Sequence, residues 1–389
     1  MPIINRLAEF QNDIVAWRHD FHRHPELLYD VNRTAATVAG LLNEFGVDEV
    51  VTGLGRTGVV GVIRGRNSAA GRTIGLRADM DALPIVETTG KDYASAEPGK
   101  MHACGHDGHT AMLLGAARYL AETRNFDGTA VVIFQPAEEG GGGGRAMVED
   151  GLMDRFAIDE VYGLHNMPGI PVGSFAIRPG PIMAATDEFN IEIIGVGGHA
   201  AKPHVTVDPI VTGAQLVAAM QTIVSRSVDP LEATVVSVTQ FHAGQAHNII
   251  PGDARLVGTV RTLMPEMRDL AEARIRAIAA GIALASGARI DVEYNRNYPV
   301  TVNHVVQTDF AAGVASAIAG ASHVDTAVAP MMGGEDFSYM LEARPGAFIF
   351  MGNGDSAGLH NSDYDFNDEA LPVGASYLAK LVETALAPA

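Results

Sequence analysis

Three short β-rich runs, Thr73–Arg77, Thr129–Phe134 and Glu160–His165, each lead straight into carboxylates or imidazoles. The first ends in RADMDALP, the second in QPAEEGGGGG and the third in GLHNMP. Open α/β sheets gather their functional groups beyond the carboxyl ends of parallel strands. Three successive tips of this kind therefore predict one convergent site. Between the first two lies Met101–Thr110, MHACGHDGHT, with the chain's only cysteine, Cys104, and with His102, His106, Asp107 and His109. The apolar run after it has helical period, so the cluster feeds a helix N-terminus. Cys104 and His106, two residues apart, can bind one metal centre, thiolate and imidazole being the usual ligands of zinc-like ions. The same stretch also reads as a tight polar turn before a helix, with the cysteine a small buried hydrophobe.

The chain has 389 residues, enough for two domains and a large core. A net charge of −19 argues against nucleic acid or an anionic membrane as partner. No apolar run reaches the length of a membrane span. The N-terminal MPIINRLAEFQNDIVAW reads as an amphipathic helix, not a signal peptide. One cysteine excludes an intrachain disulfide and fits a reducing, cytoplasmic compartment.

Apolar spacing predicts helices over 4–19 and 34–46, joined by HDFHRHPELLYD, a loop packed over the core in which His22 and His24 are not ligands. Glu138 and Glu139 stand at a strand tip. Extended backbone turns neighbouring side chains opposite ways, so one can bind metal while the other faces substrate as a proton shuttle. A solvated acidic loop with a flexible glycine turn is the plainer alternative. From Asp187 to Tyr294 the order is strand (Phe189–Val196), helix (Pro209–Ser227), strand (Ala233–His242), strand (Ala254–Thr262), helix (Met264–Ser286), strand (Arg289–Tyr294). This βαββαβ order predicts a separate, inserted ferredoxin-like domain. Beyond it come helices over 303–319 and near 335–342, a strand at Ala347–Met351 and a helix over 368–386.

HRHPEL, RADMDALP, HACGHDGHTAMLLG, FQPAEEGGGG, GLHNMP, GGHAAKPH, HNIIPG, MGGEDFSYM and LHNSDYDFN, in that order, resemble the amidohydrolase branch of the aminoacylase–carboxypeptidase superfamily of di-metal hydrolases. That branch includes hippurate hydrolases, auxin-conjugate hydrolases and N-acetyl-diaminopimelate deacetylases. The resemblance implies an α/β fold. A zinc-peptidase-like catalytic domain would take residues 1–185 and 297–389, and the ferredoxin-like α+β satellite at 186–296 would act as lid and dimerisation domain.

It also implies roles. Cys104 bridges two divalent ions where the wider superfamily uses an aspartate. His106 and Glu139 complete one ion's ligands, and His165 and His360 the other's. Glu138 is the general acid/base, and His199 stabilises the oxyanion across a dimer interface. Asn248 and Arg261 contact substrate. In GGEDF, backbone at Gly334 holds a substrate carboxylate or carbonyl, or else the motif only caps a helix. Asp79 keeps a supporting role, because Arg77 replaces the superfamily's ligand histidine two residues before it. Asp363 and Asp365 are expected to orient His360.

The expected cofactors are two divalent ions per subunit, zinc, manganese, cobalt or nickel. The expected substrate is a small N-acyl amino acid, and the expected assembly a homodimer or a dimer of dimers. Three rivals stand beside this reading: a metallo-dipeptidase or aminopeptidase acting on unblocked peptides, a metal-dependent binding protein without catalysis, and cysteine-nucleophile chemistry at Cys104.

Overall fold

Strands buried on both faces read as largely apolar runs; TAVVIFQ is one, and TIGLRAD, buried throughout, carries Arg77 and Asp79 at its end. A computed structural model describes residues 3–68 and 71–388. Met1 and Pro2 of the predicted N-terminal helix lie outside them, as does Ala389 of the expected catalytic domain. The chain divides into two units: Met1–Ile182 with Val302–Ala329 and Asp336–Ala389, and Met183–Thr301 with Pro330–Glu335.

The first unit holds an eight-stranded mixed sheet. Its order is Glu49–Leu54, Gly58–Arg64, Thr129–Gln135, Thr73–Asp79, Glu160–Pro168, Gly346–Gly354, Phe175–Ala176, Val324–Asp325. The four central strands, Thr129–Gln135 to Gly346–Gly354, are mutually parallel. Register aligns Asp79 with Gln135, and Phe350 with His165, so the polar residues share one end of the sheet. The helix His106–Thr123 is almost wholly buried, packed among the helices Gln11–Arg23 and Leu371–Ala385 over one core.

Several boundaries differ from expectation. The first helix breaks at Phe10 into Asn5–Glu9 and Gln11–Arg23. The strand bearing His165 continues to Pro168, so this histidine is not at its tip. The glycine run is not only a turn: the helix Gly143–Glu149 starts within it. A Cβ at Gly143 would stand 1.7 Å from the Pro136 carbonyl oxygen, which only glycine avoids. The helix near 335–342 begins at Ser338, and the last helix at Leu371.

The second unit is an antiparallel four-stranded sheet in the order Thr234–Ala243, Asp253–Thr262, Ala185–Ile194, Arg289–Arg296. Taken in chain order the strands lie 2-3-1-4, with helices Pro209–Thr222 and Pro265–Ser286 as crossovers. Phe189, Ile191 and Ile193 alternate inward and pack with Leu216, Met220 and Ile275 from both helices. Asp208 caps the first of these helices, accepting from the Ile210 and Val211 amides, and Pro209 opens it. Its expected final turn, Ile223–Ser227, is π-helical.

Candidate metal centre

Gly105 makes the site's local geometry possible. It sits at φ +94° before the helix His106–Thr123, and a Cβ there would stand 2.3 Å from Asn166 Oδ1. This turn puts the Cys104 Sγ 3.4 Å from His165 Nε2. His165 Nδ1 lies 2.7 Å from the Asn166 carbonyl and His106 Nδ1 lies 2.8 Å from the Asp81 carbonyl. Each ring therefore donates from Nδ1 and keeps its Nε2 lone pair for a ligand. His106 Nε2 and Glu139 Oε1 are buried and have no hydrogen-bond partner among the described residues. They are 4.0 Å apart, and His360 Nε2 is 3.3 Å from the same Glu139 oxygen. Orphaned buried acceptors facing one point are costly unless something positive binds there.

Donor atoms of Cys104, His106 and His165 lie within 4.8 Å of one another, as do those of Cys104, Glu139 and His360 and those of His106, Glu138 and Glu139. The structure thus brings together all five expected ligands and Glu138. Distance does not sort them into the two expected sets; what the Cys104 groups share is the cysteine. Asp79, His106 and His109 form a further group. His109 has no nitrogen to spare, since Nδ1 meets Asp79 at 2.6 Å and Nε2 meets Asn166 Oδ1 at 2.7 Å.

The charge balance favours a cation. Burial pushes the Cys104 thiol well up, and Glu139, Glu138 and Asp79 push it further. A thiolate here needs a positive neighbour, so a free nucleophilic cysteine is disfavoured. Burial lowers the pKa of His106, but the Asp79, Asp81 and Glu139 carboxylates outweigh it and carry it up to about 10. Burial keeps His165 well below the ordinary imidazole value, with His109 adding to the effect.

Two expectations are corrected. Glu138 and Glu139 are not on extended backbone. They form a turn after Ala137 (φ +56°), and both carboxylates reach toward His106. Asp81 builds this turn, its two oxygens accepting from the Glu138 and Glu139 amides at 2.9 and 3.1 Å. Nor do Asp363 and Asp365 hydrogen-bond the His360 ring directly, among the described residues. Asp363 accepts from Thr88, and Asp365 pairs with Arg18, Lys91 and Tyr93.

Asp79 is fully buried, with Oδ2 3.6 Å from His106 Nε2 and 2.7 Å from Arg77. The Arg77 guanidinium, also buried, continues to Gln135 Oε1 at 2.9 Å and Asp336 Oδ1 at 3.0 Å. His22 and His24 stay outside the cluster: His22 Nδ1 meets Asp107 Oδ2 at 2.8 Å, and His24 Nδ1 meets the Asp20 carbonyl at 2.9 Å. The sequence marked Asp81 only as a carboxylate beyond a strand end and did not single out Asn166 or Gln135 for a role. Their only local signal is a polar residue at the end of a buried run.

The remaining residues belong to the second unit. His199 pairs with Ile249 in a two-residue ribbon, and the Ala200 amide donates to the Asn248 carbonyl, so His199 and Asn248 are neighbours. His199 is exposed, its Nδ1 accepting from the Ala201 amide at 3.0 Å. Arg261 lies opposite Thr186 on the adjacent strand. Burial lowers its pKa, with Glu188 and Asp187 opposing. Gly334 also abuts Thr186, since a Cβ on it would stand 2.2 Å from Thr186 Cγ2.

A family model described as peptidase family M20/M25/M40 matches residues 75–384. The chain is 46% identical to a hippurate hydrolase of Campylobacter jejuni over 381 residues, 98% of each protein. It is 40% identical to thermostable carboxypeptidase 1 of Saccharolobus solfataricus, over 95% of each. Among solved structures, a Bacillus subtilis protein described as a dinuclear metal-binding peptidase of the M20 family superposes with a TM-score of 0.84 at 34% identity. The match covers 97% of this chain and 99% of that one.

Proposed function

The chain belongs to peptidase family M20/M25/M40, and on that premise we propose that it hydrolyses the amide bond of N-acyl amino acids, of the hippurate or N-acetyl type. The observation that carries this reading is the pair of orphaned acceptors, His106 Nε2 and Glu139 Oε1, gathered with Cys104, His165 and His360 beside Glu138. One thiolate, one carboxylate and three imidazoles suit zinc, manganese, cobalt or nickel. Cys104, His106, Glu139, His165 and His360 would hold two such ions. When bound, they would lower the pKa of water from about 15.7 towards about 7 and polarise the scissile carbonyl.

The chain's own residues do the rest. Glu138 takes a proton from the attacking water and returns it to the leaving amine. Asp81 holds the backbone of Glu138 and Glu139 in the turn from which both act. The Nδ1 donations of His106 and His165 fix the tautomers that offer Nε2. Asp79, paired with Arg77, stands 3.6 Å from His106 Nε2, on the ring's cluster side. His199 is assigned to the developing oxyanion, and Asn248, Arg261 and Gly334 to the substrate's carboxylate. Their grouping, His199 beside Asn248 and Arg261 with Gly334 at Thr186, supports these roles.

A homodimer joined through the second unit is part of the same proposal, supported by exposed Val196, Val211 and Ile249 there. So is a cytoplasmic location, supported by the single buried cysteine. No helix of the described residues is long and apolar enough to cross a membrane.

The carboxypeptidase relative favours one second reading, cleavage of a peptide bond beside a free carboxylate. A hydrolysis screen separates the two. Chelated enzyme, reloaded with each divalent ion in turn, is assayed on hippurate, N-acetyl amino acids and unblocked dipeptides. Faster turnover of the N-acyl substrates is expected. Preference for unblocked dipeptides would replace this reading with the second, and no turnover on any substrate would end both.

A further inference from the structure

His360 is the least anchored of the five clustered residues. Its backbone is left-handed at φ +62°, unusual for a residue with a Cβ, and its side chain is 53% exposed. Its amide donates to the Ala103 carbonyl at 2.8 Å, and its Nε2 lies 3.3 Å from Glu139 Oε1. Yet its Nε2 must stay within reach of Cys104 and Glu139.

The loop is held by Thr88 at Ser362 and Asp363 and by Asn166 at the Tyr364 hydroxyl, and further along, at Asp365 and Asp368, by one guanidinium. Arg18, on the helix Gln11–Arg23, is completely buried. Its Nε donates to Asp107 Oδ2 at 2.9 Å, one nitrogen of its fork to Asp365 Oδ1 at 2.8 Å and the other to Asp368 Oδ1 at 3.1 Å. Asp107 immediately follows His106 in the helix. One planar cation thus ties the helix end that carries His106 to the loop that carries His360. Tyr93 lies beneath it, 4.6 Å from ring centroid to Cζ, and donates from its hydroxyl to Asp365 at 2.9 Å. Lys91 adds an ion pair to Asp365 at 3.0 Å, and His19 reaches Asp368 at 2.8 Å.

The geometry points to Arg18 as a positioning residue: through Asp107, Asp365 and Asp368 it sets the distance from His360 to His106 and Cys104, and hence the occupancy of the cation that His360 helps to hold. Arginine is required because a rigid fork can span three carboxylates in fixed directions, whereas a lysine is a point charge. Its hydrogen bonds run to Asp107, Asp365 and Asp368, so its loss acts on ion binding before chemistry. This inference rests on the two-cation reading above.

Wild-type protein, Arg18→Lys, Asp365→Asn and Asp368→Asn are chelated and titrated with cobalt(II). Calorimetry gives the stoichiometry, and visible absorption follows the ligand field of each site. Wild type should take up two equivalents. The variants should keep the first and bind the second about 10- to 100-fold more weakly, the range for lost partners of metal ligands. Their kcat should recover as cobalt is raised, which a general loss of packing would not give. A second equivalent bound with wild-type affinity in Arg18→Lys, or in both aspartate variants, overturns the inference. Should Arg18→Lys not fold, the two half-buried aspartates, each reaching the guanidinium from the loop side, decide it. Uptake of fewer than two equivalents by wild type would instead refute the two-cation reading itself.

Discussion

At the scale of single residues, the site depends on side chains whose chemistry is set by what surrounds them. Glu138→Gln keeps shape and removes the proposed base. It should lower kcat by about 10²- to 10⁴-fold, the usual contribution of general acid–base catalysis, while elemental analysis finds wild-type metal. Cys104→Ala should lose metal as well as activity. Cys104→Asp should keep much of both, because a carboxylate can bridge two cations where alanine offers no donor. His22 supplies a pH prediction. Burial lowers its pKa, but its hydrogen bonds to the Asp107 and Glu87 carboxylates outweigh that and carry it from 6.5 up to about 9. A folded value above the unfolded one means that the stabilisation is complete below about pH 6.5 and is lost as pH rises through about 9. Thermal melting of metal-loaded protein should therefore fall across that window, and His22→Gln should flatten the fall.

At the scale of elements, glycines separate positions where backbone must pass from positions where it merely happens to. Gly143→Ala would drive a Cβ into the Pro136 carbonyl and displace the turn that carries Glu138 and Glu139. Both melting temperature and metal content should drop. Gly313, in the helix Val305–Ala319, meets nothing within 4 Å. Gly313→Ala should stabilise by about 0.5–1 kcal/mol, because alanine loses less backbone entropy in a helix. Denaturant melts of the two variants give the comparison directly. The periodic elements were legible because their signal is local: His106–Thr123 and Pro265–Ser286 follow from apolar spacing. The strand Glu49–Leu54 was missed because EVVTGL is half exposed and too short to establish a period. The opposed directions expected for Glu138 and Glu139 failed for a related reason. A turn imposed by Asp81, 57 residues earlier, overrode the extended geometry assumed from the sequence.

At the scale of the whole molecule, among the described residues each unit has a hydrophobic core of its own, and all five clustered residues belong to the first unit. A ligand that binds only the folded form stabilises by about 2.7 kcal/mol at 100 times its Kd. Chelation should therefore lower the melting of the first unit and leave that of the second in place. Calorimetry with hydrogen exchange read peptide by peptide tests this.

The sequence by itself determined the alternation of strand and helix, the βαββαβ order of the second unit, and the identity of the candidate metal-binding residues. Each of these is written in short-range spacing or in motif chemistry. Only the tertiary structure decided which atoms meet. Gln135 and Asp336 are 201 residues apart and Arg18 and Asp365 are 347 apart, yet each pair shares a hydrogen bond. No periodicity links such positions. A buried polar group must find its partner wherever the packed chain provides one, and that place exists only after the core has closed.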